Sequence, residues 1–214
     1  MSAPATDRPA KSPEEVRELY DEQAPRFERF GWIEERLVGR YRERLFSRAR
    51  GRTLDVACGT GPNFPHFPEG VALTAVDLSE GMLAAAERRT AELGLDADLR
   101  VADAEDLPFE DDSFDTVASA LSTCTFPDPV AVLREMDRVC APDGEILLFE
   151  HGRSDVAAVA RLQDWLAPRH FRRMACRWNQ EPTDLVAEAG LSVERVRRNV
   201  LGIFTSMVVA PSGD

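Results

Sequence analysis

The sequence predicts an α/β domain, built as a mostly parallel sheet with helices on both faces. Three observations predict it. From Arg52 onward, short apolar runs alternate with amphipathic stretches of helical period, the pattern of repeated strand–helix–strand units. The first run ends in a glycine-rich turn, Leu54-Asp55-Val56-Ala57-Cys58-Gly59-Thr60-Gly61, and the second closes on an acid, Val76-Asp77. The helical stretches also carry their own start and stop residues. With 214 residues, 43% of them hydrophobic, the chain has material for one full core.

The elements follow in order. Met1 to Lys11 is small, polar and proline-containing, and reads as a disordered tail. Ser12-Pro13-Glu14-Glu15 is a helix start, with a Ser cap, Pro at the first position and Glu three residues after the cap. Val16, Leu19, Tyr20 and Phe27 then recur at helical spacing to about Phe30, and a second amphipathic segment from Trp32 to Ala49 sets Ile33, Leu37, Tyr41 and Leu45 on one face. Residues 12–50 form an N-terminal helical cap on a single domain spanning 12–214. Strands are expected at Thr53–Ala57, Val71–Val76, Leu99–Ala102, Phe114–Ser119 and Glu145–Glu150. Between them lie a helix from Ser79 to Leu93, stopped by Gly94, and one from Asp128 to Cys140 with Gly144 beyond its end. A helix from Pro182 to Ala189 and a hairpin, Ser192–Val200 with Ile203–Ala210, complete the chain.

A strand, a glycine turn and an acid closing the next strand together hold an adenosine-containing cofactor. The glycines allow close backbone approach and Asp77 takes the ribose hydroxyls. A dinucleotide site would place a third glycine where this chain has Phe64, and Pro62, Pro65 and Pro68 permit only a short or broken helix there. Asp55, four residues before Gly59, would repel a pyrophosphate but suits a cofactor carrying an ammonium and a sulfonium. The sequence therefore favours S-adenosylmethionine over a nicotinamide nucleotide.

Composition narrows the class further. The net charge is −12 and Lys11 is the one lysine, so the chain lacks the basic face that nucleic-acid binding requires. No apolar run approaches a membrane span and no signal peptide opens the chain, which makes the expected compartment cytoplasmic. Cys58, Cys124, Cys140 and Cys176 show no Cys-x-x-Cys spacing and no nearby paired histidines, so neither zinc nor disulfides are expected.

The assembled motifs resemble the ubiquinone/menaquinone C-methyltransferase superfamily of class I S-adenosylmethionine-dependent enzymes. The stretches that carry the resemblance are Tyr20-Asp21-x-x-Ala24, Leu54 to Gly61, Asp77-Leu78-Ser79-Glu80-Gly81-Met82-Leu83 and Asp103-Ala104-Glu105-x-Leu107-Pro108-Phe109. Ser113-Phe114-Asp115 and the Leu133 to Gly144 segment complete the set. The resemblance implies a Rossmann-like seven-stranded sheet whose last strand is antiparallel. It implies that Asp55, Ala57, Cys58, Gly59, Gly61, Asp77 and Leu78 surround the cofactor. Asp103 and Ala104 would meet the adenine, Met82 would pack against it, Tyr20 and Phe27 would close over the site, and Ser119 would border it. Where quinone methyltransferases carry an Arg-Asn pair after strand four, this chain has Leu121-Ser122-Thr123-Cys124-Thr125-Phe126; with Phe149-Glu150-His151-Gly152-Arg153 this looks more like the phospholipid and small-molecule branch.

Ligands in open sheets sit beyond the carboxyl ends of the strands, so Ser119, Thr123, Cys124 and His151 are expected on the acceptor side. His151 is the candidate general base, since imidazole titrates near neutrality and Glu150 adjoins it. Cys124 reads more simply as a small buried residue. Residues 152–180 form an insertion read as a lid. Its helical stripe is Val156, Val159, Leu162, Trp165 and Leu166, and a basic aromatic cluster runs from Arg169 to Trp178. The expected activity is methyl transfer to a small hydrophobic acceptor (lipid headgroup, quinol or thiol), with peripheral membrane contact through that cluster a further expectation. The alternative is a non-catalytic S-adenosylmethionine-binding module whose lid fills the acceptor cavity.

Overall fold

A computed structural model describes residues 10–213, so residues 1–9 of the expected tail lie outside the described part. Five helices and seven strands alternate along it: α1 (Pro13–Phe46), β1 (Arg52–Val56), β2 (Ala72–Asp77), α2 (Glu80–Leu93), β3 (Ala97–Val101), β4 (Phe114–Ala120) and α3 (Pro129–Val139). β5 (Cys140–His151), α4 (Ala157–Met174), α5 (Pro182–Glu188), β6 (Ser192–Asn199) and β7 (Phe204–Ala210) follow. The strands form one sheet in the order β3-β2-β1-β4-β5-β7-β6, parallel from β3 through β5, with β7 antiparallel to both its neighbours. The terminal hairpin thus inserts its second strand against β5 and leaves β6 at the edge. Among the described residues no helix is long and apolar enough to cross a membrane.

Local chemistry sets most boundaries. The Ser12 side chain accepts from Glu15 N while the Glu15 carboxylate accepts from Ser12 N, a reciprocal cap on α1. Ser79 caps α2 through Met82 N, Gly94 ends it at φ 65°, and Asp128 caps α3 through Val130 N and Ala131 N. Phe64–His66 is a single 3-10 turn, as the surrounding prolines require.

The N-terminal helices depart from expectation. One unbroken helix of 34 residues replaces the two segments. Pro25 is solvent-exposed within it, and Gly31 costs only about 1 kcal/mol relative to alanine, too little to end a helix anchored at both ends. Its inward face is Val38, Arg42, Leu45 and Phe46, whereas Ile33 and Leu37 are exposed. The stripe expected on α4 is likewise turned outward: Leu162 and Trp165 are exposed, and Ala160 and Gln163 are the buried positions. β5 also starts earlier than Glu145, because Cys140 already pairs with Phe114 across a register shift in β4.

The core lies on both faces of the sheet. Leu54, Val117, Leu133, Met136, Ile146, Leu148 and Met207 pack on one side. Beneath α1, Val38, Phe46, Leu147 and Phe149 pack together, and beneath α2 Cys58, Phe64, Ala75 and Leu83 do the same. Truncating a side chain such as Leu133, fully buried, to alanine costs about 2–5 kcal/mol. This packing fixes the carboxyl ends of β1 and β4, where the strand order reverses and an open sheet leaves its ligand crevice.

Candidate functional site

A cleft of about 1170 Å³, counting its open mouth, lies over those strand ends. Ala57 and Leu121, the residues that follow β1 and β4, both line it, and both hold left-handed backbone, at φ 54° and 55°. Non-glycine residues in that conformation cost of order 1–3 kcal/mol each and concentrate at functional sites. Gly59 follows at φ 56°, and a Cβ placed on it would meet no atom within 4 Å, so the loop leaves open space where a side chain would intrude.

The donor end of the cleft is built from polar groups on short segments. Asp77 accepts from Gly59 N at 2.8 Å through one oxygen and from Ser79 N at 2.9 Å through the other. Burial pushes its carboxyl up to about 6 against those backbone hydrogen bonds. Asp21 on α1 binds Ser79 Oγ at 2.6 Å and Gly81 N at 3.0 Å, clasping the helix to the first turn of α2. Tyr20, stacked on Phe27 at 6.0 Å, donates to the Met174 carbonyl at 3.4 Å. Leu78, Met82, Asp103 and Ala104 complete this wall, with Asp103 fixed by Glu105 N at 3.0 Å.

Asp55, Gly61 and Ser119 stand behind the cleft rather than in its lining. Asp55 is fully buried and accepts both bonds of the Asn63 amide, at 3.0 and 3.2 Å, and burial lifts its carboxyl to about 7. Gly61 is required by the Phe64 ring, which would lie 2.5 Å from an added Cβ. Ser119 donates to the Val56 carbonyl at 2.8 Å and so stitches β4 to β1. These three hold the loop that holds the ligand.

Arg42 is the residue that sequence reasoning missed. It is buried (1% exposed), donates Nε to Asn63 Oδ1 at 3.0 Å and pairs with Glu34, yet its Nη1 has no partner and the residue lines the cleft. An unused guanidinium donor in a buried wall is a seat for a carboxylate. Its sequence signal was an arginine among the apolar positions Val38, Tyr41, Leu45 and Phe46.

The far end, after β4 and β5, has a different character. Glu150 is buried; its Oε1 accepts from Ser122 N, Ser122 Oγ and Thr123 N at 3.3 Å each, while Oε2 has no partner. His151 does not line the cleft. Its Nε2 lies 3.3 Å from the Cys176 sulfur, and Cys124 completes a buried cluster. Hydrogen bonds from Cys124 and from His151 hold the Cys176 thiol down at about 4; burial opposes the charged form of His151, but Cys176 and Glu150 outweigh it and raise its pKa. His151 therefore faces the Cys176 sulfur rather than the cleft. None of residues 152–180 lines the cleft, whose lining comes from residues 13–127; the segment meets it through the Met174 carbonyl, which accepts from the Tyr20 hydroxyl.

The polar set fits S-adenosylmethionine. Arg42 suits its carboxylate, Asp77 its ribose diol, and Asp103 with Met82 the adenine edge and face. Comparison with known proteins agrees with this reading. Residues 54–148 match the family model described as a methyltransferase domain. Residues 54–148 thus carry a methyltransferase domain whose cofactor is S-adenosylmethionine. It is similar to a phosphatidylethanolamine N-methyltransferase of Cereibacter sphaeroides, 39% identical over 55% of this chain and 59% of that protein. A demethylmenaquinone methyltransferase of Renibacterium salmoninarum is 35% identical over 65% of this chain and 60% of its own length. The chain thus spans about three fifths of the length of these two relatives. A Thermotoga maritima methyltransferase, titled a possible histamine N-methyltransferase, shares the fold with a TM-score of 0.71 at 20% identity, over 92% of this chain and all of the other.

Proposed function

We propose that this chain transfers a methyl group to a small hydrophobic acceptor that enters beside Ser122, Thr125 and Phe126. The observation that carries the proposal is the pairing, in one cleft, of the unused Nη1 of buried Arg42 with the backbone-braced carboxylate of Asp77. Bound S-adenosylmethionine would supply an activated methyl group on a sulfonium sulfur. The protein's task is then alignment and exclusion of water, and alignment alone is worth about 7–11 kcal/mol. Arg42, Asp77 and Asp103 fix one partner from three directions. Tyr20 and Phe27 close the mouth over it, and Leu121, Phe126 and Pro127 present an apolar wall to the other.

An apolar acceptor is supported by the outer surface of the same helix. Phe30, Trp32, Ile33 and Leu37 of α1 are exposed beside Phe27, Gly31 and Glu34, which line the cleft. Such a surface suits a lipid-like molecule presented at a membrane face, and the relatives named for phosphatidylethanolamine and demethylmenaquinone bear names of that chemical kind. His151 enters this reading behind the acceptor wall, where it holds Cys176. The insertion, residues 152–180, serves as that wall's backing within a single domain.

The test is methyl incorporation from labelled S-adenosylmethionine into separate pools of phospholipid, quinol and thiol. Label in one hydrophobic pool, lost in Arg42→Met, is expected. Tight cofactor binding with no label in any pool would instead favour a non-catalytic binding module.

A further inference from the structure

We propose that Cys124, His151 and Cys176 form a binding site for a soft divalent cation of the zinc class, next to the methyl-transfer cleft. The two sulfurs and Nε2 of His151 all lie within 4.8 Å of one another, with Cys176 Sγ at 3.3 Å from the ring nitrogen. A tetrahedral zinc ion, with Zn–S near 2.3 Å and Zn–N near 2.0–2.1 Å, sets its donors about 3.5–3.8 Å apart. The triangle therefore needs only side-chain adjustment to close on an ion. Two thiolates and a neutral imidazole balance the charge of a divalent cation, and their softness selects zinc over magnesium or calcium.

Three further features argue for a built site. Each donor comes from a different segment: the loop after β4, the end of β5 and the turn after α4. Those segments are tied together, Arg177 N donating to the Cys124 carbonyl at 2.9 Å and Gln180 Nε2 to Thr123 Oγ1 at 3.1 Å. Ala175 adopts φ 53° immediately before Cys176, a left-handed turn that aims the sulfur back at His151. His170, stacked on Trp178 at 4.3 Å, also reaches the Cys176 sulfur. The site adjoins the cleft through Thr125, which lines it one residue after Cys124, and through Tyr20, bound to the Met174 carbonyl. Three protein donors leave a fourth position for water or another small ligand, as in zinc sites of catalytic type.

The experiment is a titration of the full-length, reduced, metal-stripped protein with cobalt(II), read by absorbance and displaced by zinc. One equivalent per chain is expected, with thiolate-to-cobalt charge transfer and the intense visible bands of a tetrahedral ion. Cys124→Ser, Cys176→Ser and His151→Ala should each weaken binding at least about tenfold, in keeping with the loss of a ligand. Cys140→Ser, at the opposite end of β5, should bind as the parent does. Circular dichroism and cofactor affinity of each variant establish that it is folded. No cobalt bands in the folded parent, or bands that survive all three substitutions, would each overturn the site. Because the readout is metal binding, its failure leaves the methyl-transfer reading untouched.

Discussion

The two ends of the cleft are made differently. The donor end is local: Ala57, Gly59, Asp77 and Met82 come from two consecutive strand-to-helix turns, braced by backbone hydrogen bonds. The proposed acceptor end is backed by distant chain: Ser122 meets Glu150 because β4 and β5 are neighbours, and Cys176 meets His151 because the insertion returns to their ends. Cofactor binding occupies the local half, and under the proposed function the acceptor meets the composite half.

Substitutions can break or sharpen that contrast. The largest effect is expected at the composite end, where His151→Ala should lower kcat by about 10²-fold, the scale of an acceptor misplaced by about 1 Å once the wall behind it shifts, while cofactor Kd changes less than about twofold. Unchanged turnover would make His151 purely structural. On the cofactor side, from α1, Arg42→Met should weaken S-adenosylmethionine about 10–100-fold, the range for a lost hydrogen bond to a charged group. The decarboxylated cofactor should bind parent and variant alike, and a parallel loss would remove Arg42 from carboxylate recognition. Asp77→Ala should cost about tenfold or more in affinity by calorimetry, through lost charge-assisted bonds to the ribose.

The smallest effect is the pH dependence. Asp55 and Asp77 hold their protons up to about 7 and about 6, above the unfolded carboxylate range. The ligand-free fold therefore binds extra protons between about pH 4 and 7, and its stability falls as pH rises through that window. Cofactor affinity runs the other way, because ribose hydroxyls favour the anionic Asp77: it should weaken a few-fold as pH drops below 6, and Asp77→Asn should flatten the profile.

The same local–composite divide governed what the sequence disclosed. Most strands, the caps and the donor loop were legible because each rests on residues close in the chain, as Ser79 with Met82. Arg42 escaped because a buried arginine looks, in one dimension, like a solvated one. Nothing in the spacing of Cys124, His151 and Cys176 announces a cluster, since only the placing of β4, β5 and the turn after α4 brings the three together. The α1 and α4 stripes were misassigned for a related reason. Apolar periodicity identifies a helix, but the inward face was decided by Val38 and Arg42 on one and Ala160 and Gln163 on the other.

Pro25 gives α1 two unequal halves. It has no amide hydrogen to offer the Asp21 carbonyl, so the rod lacks one rung midway between cleft and core. The C-terminal half is cemented by Val38, Leu45 and Phe46, whereas the N-terminal half is fastened by the clasps of Asp21 and Tyr20. Amide protons of Val16 to Ala24 should thus trade with deuterium well before those of Val38 to Phe46, and slow when ligand fills the cleft. A hinged doorpost of this kind admits and releases small molecules while the sheet stays still.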